Sequence, residues 1–152
     1  MRPRPDEYFI QMARLVSSRT TCMRRAVGCV LVNDRNHVIA TGYNGVAAGQ
    51  KHCNEHDPFD PLGYPFACKG AHAESGTDLH LCEAIHAEQN ALLQCRDVFE
   101  IDTAYVTVSP CITCVKLLMN TSCKRIVTPK IYDQVAVDLW KNSGRILRVT
   151  NF

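Results

Sequence analysis

Apolar residues recur at helical spacing over residues 6–19, where Phe9, Met12, Ala13 and Val16 share one side. Asp6 and Glu7 suit the positive N-terminal end of such a helix. The pattern changes over residues 26–33, an apolar, β-branched run that reads as a buried strand. Residues 34–36 make a turn, and residues 37–43 read as the partner strand of a hairpin. Gly42, Asn44, Gly45 and Gly49 are expected to break regular structure. A helix is predicted over residues 86–97 and a strand over 103–109. Pro110 suits the first position of a further helix running to about residue 121. A strand over 125–128, an amphipathic helix over 133–143 and a strand over 145–150 follow. Strands alternating with helices predict an α/β layer architecture with a largely parallel second half.

A chain of 152 residues suits one domain, residues 1–152, with one sizeable core. A net charge of +2 provides no basic stripe for long nucleic acid. No apolar run is long enough to span a membrane. The segment MRPRPDEYF lacks the apolar stretch of a signal peptide. Nine cysteines is an odd and unusually high count. Without a secretion signal it points to thiol and metal chemistry in a reducing, cytoplasmic setting, in a cell or a virus-infected host. Residues 44–84 form a long irregular stretch with Pro58, Pro61, Pro65 and four of the six histidines. A loop of that length in a compact domain is expected to be functional or tied down.

Three ligand types are spaced to meet at one metal. Cys111 and Cys114 stand at a predicted helix start, where the helix dipole favours thiolate. His86 opens the preceding predicted helix, and two helix starts at one sheet edge can face each other. Three protein ligands leave the fourth tetrahedral position open for water, which marks a catalytic zinc. Glu88, two residues after His86, can enter the pocket without being a ligand. A glutamate beside a water of lowered pKa can move protons to a ring nitrogen and a leaving amine. A second triplet, His72-Ala73-Glu74, precedes Ser-Gly-Thr-Asp, a loop composition. His86-Ala87-Glu88 opens the good helix former QNALLQ, so the second triplet is the one chosen.

His86-Ala87-Glu88 followed by Pro110-Cys111-Ile112-Thr113-Cys114 resembles the signature of the zinc nucleobase deaminases. The run from Arg19 through Cys22, Arg24, Arg25, Gly28 and Cys29, the segment Gly42-Tyr43-Asn44-Gly45, His52-Cys53 and the run from Leu81 to Ala91 look like deoxycytidylate (dCMP) deaminases. The likeness covers residues from about 8 to 132. It implies a three-layer αβα cytidine deaminase-like fold with a mixed five-stranded sheet. It implies conversion of dCMP to dUMP, a homohexamer, activation by dCTP and inhibition by dTTP near Gly42, Tyr43 and Gly45. A triphosphate effector would bring Mg2+ with it. By the same resemblance Asn44 faces the sugar, Ala87, Ser109 and Pro110 line the base, and Arg24 or Arg25 with Tyr132 take the phosphate. A guanidinium grips phosphate bidentately, and a tyrosine adds a hydroxyl donor.

The resemblance also implies a second, structural zinc held by Cys22, Cys53, His80 and Cys82. Such a closed site would tie residues 44–84 to the core. His80 stands two before Cys82, where a spacing of three is usual, so His72, His52 or Cys68 are alternatives to it. Cys29, Cys95 and Cys123 read as core residues. A deaminase acting on dCTP as well as or instead of dCMP, and a deaminase-fold protein that binds nucleotide or partner without turnover, are the competing readings. An intact Glu88 argues against the latter.

Overall fold

The computed structural model describes residues 1–22, 24–55 and 82–152. Its elements are α1 (Pro5–Ser17), β1 (Gly28–Val32), β2 (Val38–Tyr43), α2 (Ala87–Gln94), β3 (Thr103–Val106), α3 (Ile112–Met119), β4 (Arg125–Thr128), α4 (Gln134–Asn142) and β5 (Ile146–Val149). A 3-10 turn, Val98–Glu100, stands between α2 and β3. The strands form one five-stranded sheet in the order β2-β1-β3-β4-β5. β1 is antiparallel to β2 and β3, while β3, β4 and β5 run parallel. Among the described residues no helix is long and apolar enough to cross a membrane.

Strand alternation divides the apolar residues between two cores. Val30, Val32, Tyr105 and Val127 pack with Phe9, Ile10 and Ala13 of α1. Cys29, Leu31, Ala104, Val106 and Ile126 form the other face, against Ala87 and Ala91 of α2, Val115 and Leu118 of α3, and Ala136 and Trp140 of α4. The result is the expected αβα layering, with, among the described residues, one helix on one side of the sheet and three on the other. Cys123 is buried in the larger core, and Cys95 packs against it.

Element ends differ from the sequence expectation for local reasons. α2 stops at Gln94, because Asp97 turns its carboxylate to cap the 3-10 turn, accepting from Phe99 N–H at 2.9 Å. β3 stops at Val106, because the Thr107 hydroxyl instead accepts from Gly28 N–H at 3.1 Å. Gly42 does not break the hairpin. It lies within β2, opposite Cys29. A Cβ there would come within 2.3 Å of the Ala87 carbonyl oxygen and 2.4 Å of Ala91 N. Glycine lets the α2 backbone rest directly on the strand.

Asp6 does more than suit a helix end. It is 8% exposed, and its Oδ1 accepts from the Tyr105 hydroxyl at 2.6 Å. Arg125 and Arg148 both bond its Oδ2, which ties α1 to β3, β4 and β5. Burial pushes this carboxyl up, but the Tyr105 hydroxyl and the two guanidiniums outweigh it, so the pKa lies below its ordinary value. An Asp6→Asn variant is expected to be about 2 kcal/mol less stable at pH 7. That is below the cost of breaking a fully buried pair, because Arg148 is half in water. A folded-state pKa below the unfolded one stabilises fully above about pH 3.9 and ceases to do so as pH falls through the folded value. Thermal unfolding of both proteins from pH 7 to pH 2 should therefore show a steady gap that closes in the acid range. A gap that persists at pH 2 would show that the ionised carboxylate is not its source.

Candidate active site

Two helix starts build the centre of the site. His86 caps α2 with an extended backbone (φ −65°, ψ 152°), and Cys111 caps α3 likewise (φ −70°, ψ 171°). Pro110 therefore precedes the cap rather than opening the helix, because Cys111 keeps the non-helical backbone of a cap residue. His86 Nδ1 lies 3.4 Å from Cys111 Sγ and 3.3 Å from Cys114 Sγ. All three ligand atoms fall within 4.8 Å of one another. A tetrahedral zinc with ordinary Zn–N and Zn–S bonds puts nitrogen and sulfur about 3.5 Å apart, so this set fits zinc. The Gln89 side chain accepts from His86 N–H at 3.0 Å and fixes the turn that carries the histidine. Gln89 was missed in the sequence, although a glutamine three residues after a helix cap is a known signal.

Glu88 sits in the first turn of α2 and is only 5% exposed. Burial raises its pKa, against the lowering effect of its own backbone N–H and of His86. Its carboxyl lies against the Cys114 thiol. Without metal, the Cys114 thiol hydrogen bond holds the Cys111 thiol down to about 4, opposed by burial and helped by His86. The same bond pushes Cys114 up. One thiolate is therefore already preferred in this pair, as a metal ligand requires.

The remaining predicted residues fall into two groups around this centre. Ser109 is buried; its hydroxyl accepts from Tyr132 N–H at 2.7 Å, and its N–H donates to the Lys130 carbonyl at 2.8 Å. The Arg25 guanidinium stacks 3.7 Å from the centroid of the Tyr132 ring. The Arg25 charge also acts on the His86 imidazole. Arg25, Tyr132, Ser109 and Pro110 thus share one side of the site, with the buried Ala87 at the α2 start. Arg24 is half-buried beside Arg25 in the chain. Asn44 is buried, and its amide holds the Arg25–Val27 segment. Nδ2 donates to the Arg25 carbonyl at 2.7 Å, and Oδ1 accepts from Val27 N–H at 3.0 Å. Each amide atom keeps a second bonding capacity for a ligand. Tyr43 ends β2, and Gly45 forms an isolated bridge with Ile85.

A second cluster unites Cys22, Cys53 and Cys82, whose sulfurs lie within 4.8 Å of one another. A tetrahedral zinc places two thiolate sulfurs about 3.8 Å apart, so this set also fits. Cys53 is buried, and the Cys82 hydrogen bond raises the Cys22 pKa. Among the described residues His52 does not join the cluster. His80, His72, Cys68 and the His72-Ala73-Glu74 triplet lie outside the described residues.

Residues 3–130 match the family described as the cytidine and deoxycytidylate deaminase zinc-binding region. The deoxycytidylate deaminase of Mycobacterium phage D29 is 39% identical, over 85% of this chain and 97% of its own length. That of Saccharomyces cerevisiae is 36% identical over 100% of this chain, which spans 46% of the length of the yeast protein. The crystal structure of dCMP deaminase from cyanophage S-TIM5 in complex with dCMP and dUMP covers 99% of both chains, with a TM-score of 0.73 and 24% identity. That likeness shows the cytidine deaminase-like fold. The match over most of the chain, together with a full-length relative, places this protein in the cytidine and deoxycytidylate deaminase family.

Proposed function

We propose that this protein hydrolyses dCMP to dUMP and ammonia, supplying thymidylate precursors. The observation that carries the reading is a buried glutamate, Glu88, beside a three-ligand cluster at two facing helix starts. His86, Cys111 and Cys114 would hold a catalytic zinc, which supplies a water of lowered pKa when bound. Glu88 accepts a proton from that water at its carboxylate and delivers it to N3 of the cytosine ring as the water oxygen bonds to C4. It then takes the proton of the new C4 hydroxyl and passes it to the exocyclic nitrogen, so that the C4–N bond breaks, ammonia leaves and the C4 carbonyl forms. Ala87, Ser109 and Pro110 line the base, and Asn44 meets the sugar with its spare amide valences. Arg25, pre-oriented on Tyr132, takes the phosphate with Arg24.

A structural zinc on Cys22, Cys53 and Cys82, with His80 as fourth ligand, belongs to the same reading. The proposal includes activation by dCTP with Mg2+, inhibition by dTTP near Gly42, Tyr43 and Gly45, a homohexamer and a cytoplasmic location. The Gly45–Ile85 bridge supports the effector reading, because it links that hairpin end to the residue before His86. Exposed Leu93, Leu117 and Val135 on α2, α3 and α4 offer apolar surface for subunit contact.

The test follows ultraviolet absorbance during incubation with dCMP, dCTP, deoxycytidine and cytosine, each with and without dCTP or dTTP as effector. Turnover is expected with dCMP, faster with dCTP and slower with dTTP. Turnover of only the nucleoside or free base would remove the phosphate site on Arg24 and Arg25. Preference for dCTP as substrate would transfer the assignment to a triphosphate deaminase.

A further inference from the structure

We infer that Asn90 is a positioning residue that holds the sugar side of the nucleotide site in register with the metal ligands. What it positions rests on the dCMP reading above; how it does so rests on geometry. Asn90 lies in the first half of α2 and is half-buried. Its Nδ2 donates to the Tyr43 carbonyl at 2.9 Å and to the Ile85 carbonyl at 3.4 Å. An amide nitrogen carries two hydrogens, so one side chain serves both acceptors. Tyr43 precedes Asn44, and Ile85 precedes His86.

Besides the close approach of α2 to Gly42, the two segments share one backbone hydrogen-bond exchange among the described residues. Gly45 N–H donates to the Ile85 carbonyl at 3.1 Å, and Ile85 N–H donates to the Gly45 carbonyl at 2.8 Å. This bridge is isolated, since β2 already ends at Tyr43. Asn44 is therefore held on both flanks, by Asn90 through Tyr43 and by Ile85 through Gly45. Removal of the amide takes this donor from the Tyr43 carbonyl and leaves the Ile85 carbonyl with the Gly45 N–H alone, so the side-chain tie between the segments is lost and their separation becomes easier. The separation would move Asn44 relative to His86, and with it the sugar relative to the reacting carbon.

Two measurements on the zinc-loaded protein test this. In Asn90→Ala, hydrogen exchange at the Gly45 and Ile85 amides should accelerate about tenfold or more, while β1 amides keep their protection. Calorimetric titration with dUMP should show about tenfold weaker binding in Asn90→Ala. The same change in an Asn44→Ala background should cost less than about threefold, because the two residues act as a unit. Unchanged protection at Gly45 and Ile85, or a loss that is fully additive with Asn44→Ala, would overturn the inference. Should Asn90→Ala fail to fold, Asn90→Ser carries the same two measurements with one hydroxyl donor retained. Failure of dUMP to bind the unsubstituted protein would instead count against the dCMP reading, and hydrogen exchange would still decide the role of Asn90.

Discussion

Deamination of dCMP by a Glu88→Gln variant is expected to be slower by about a thousandfold or more, with zinc content unchanged. Glutamine preserves the volume and most contacts of this 5%-exposed side chain. It cannot accept a proton, so the route from water to ring nitrogen and leaving amine is cut. Glu88 stands outside the ligand set of His86, Cys111 and Cys114, so metal retention separates a lost proton carrier from a lost site. Steady-state deamination kinetics with elemental analysis of the same sample make the comparison. Activity within tenfold of the unsubstituted protein would sink the assigned role. Loss of zinc in the variant would instead make Glu88 part of the metal site. Binding of dUMP should persist, because no phosphate or sugar contact is assigned to this carboxylate.

The second large effect is expected at Cys53. Two zinc ions per chain are predicted, and Cys53→Ser should lower the count to one. A structural zinc supplies on the order of 10 kcal/mol of folding free energy in small metal-dependent domains. In a chain of this size even a third of that would lower the unfolding midpoint by about 10 °C. Cys53 is 1% exposed, and its partners Cys22 and Cys82 lie far from it in sequence. Loss of the metal would release the segment that leads to Arg24 and the one that leads to His86. Elemental analysis and thermal unfolding of both proteins provide the test. A ratio near one zinc in the unsubstituted protein, unaltered by Cys53→Ser, would remove the structural site.

Much of the layer structure was legible in the chain. The β-branched run of β1 is buried on both faces and the apolar stripe of α1 buries one, so a continuous apolar run and a helical period sufficed to place them. The mixed sheet followed from a hairpin followed by strand–helix alternation. Element ends were less legible, because a few local hydrogen bonds decide them. The Asp97 carboxylate ended α2, and the Thr107 hydroxyl helped end β3. Gly42 looked like a break, because a glycine that admits a neighbouring backbone has the same sequence appearance as one that turns the chain.

The candidate metal ligands were readable because ligand chemistry is restricted to few side chains and their spacing is local to two helix starts. Sequence alone thus determined the layer order, the candidate zinc ligands and the glutamate beside them. Tertiary structure decided what lies between those landmarks. It stacked Arg25 on Tyr132 and gave Asn44 and Asn90 their carbonyl partners, and it brought Cys22, Cys53 and Cys82, a set the family resemblance had implied, within 4.8 Å of one another. It also made Asp6 the link between α1 and three strands. Each of these contacts depends on where the folded backbone carries distant residues, and neither periodicity nor local spacing encodes that distance.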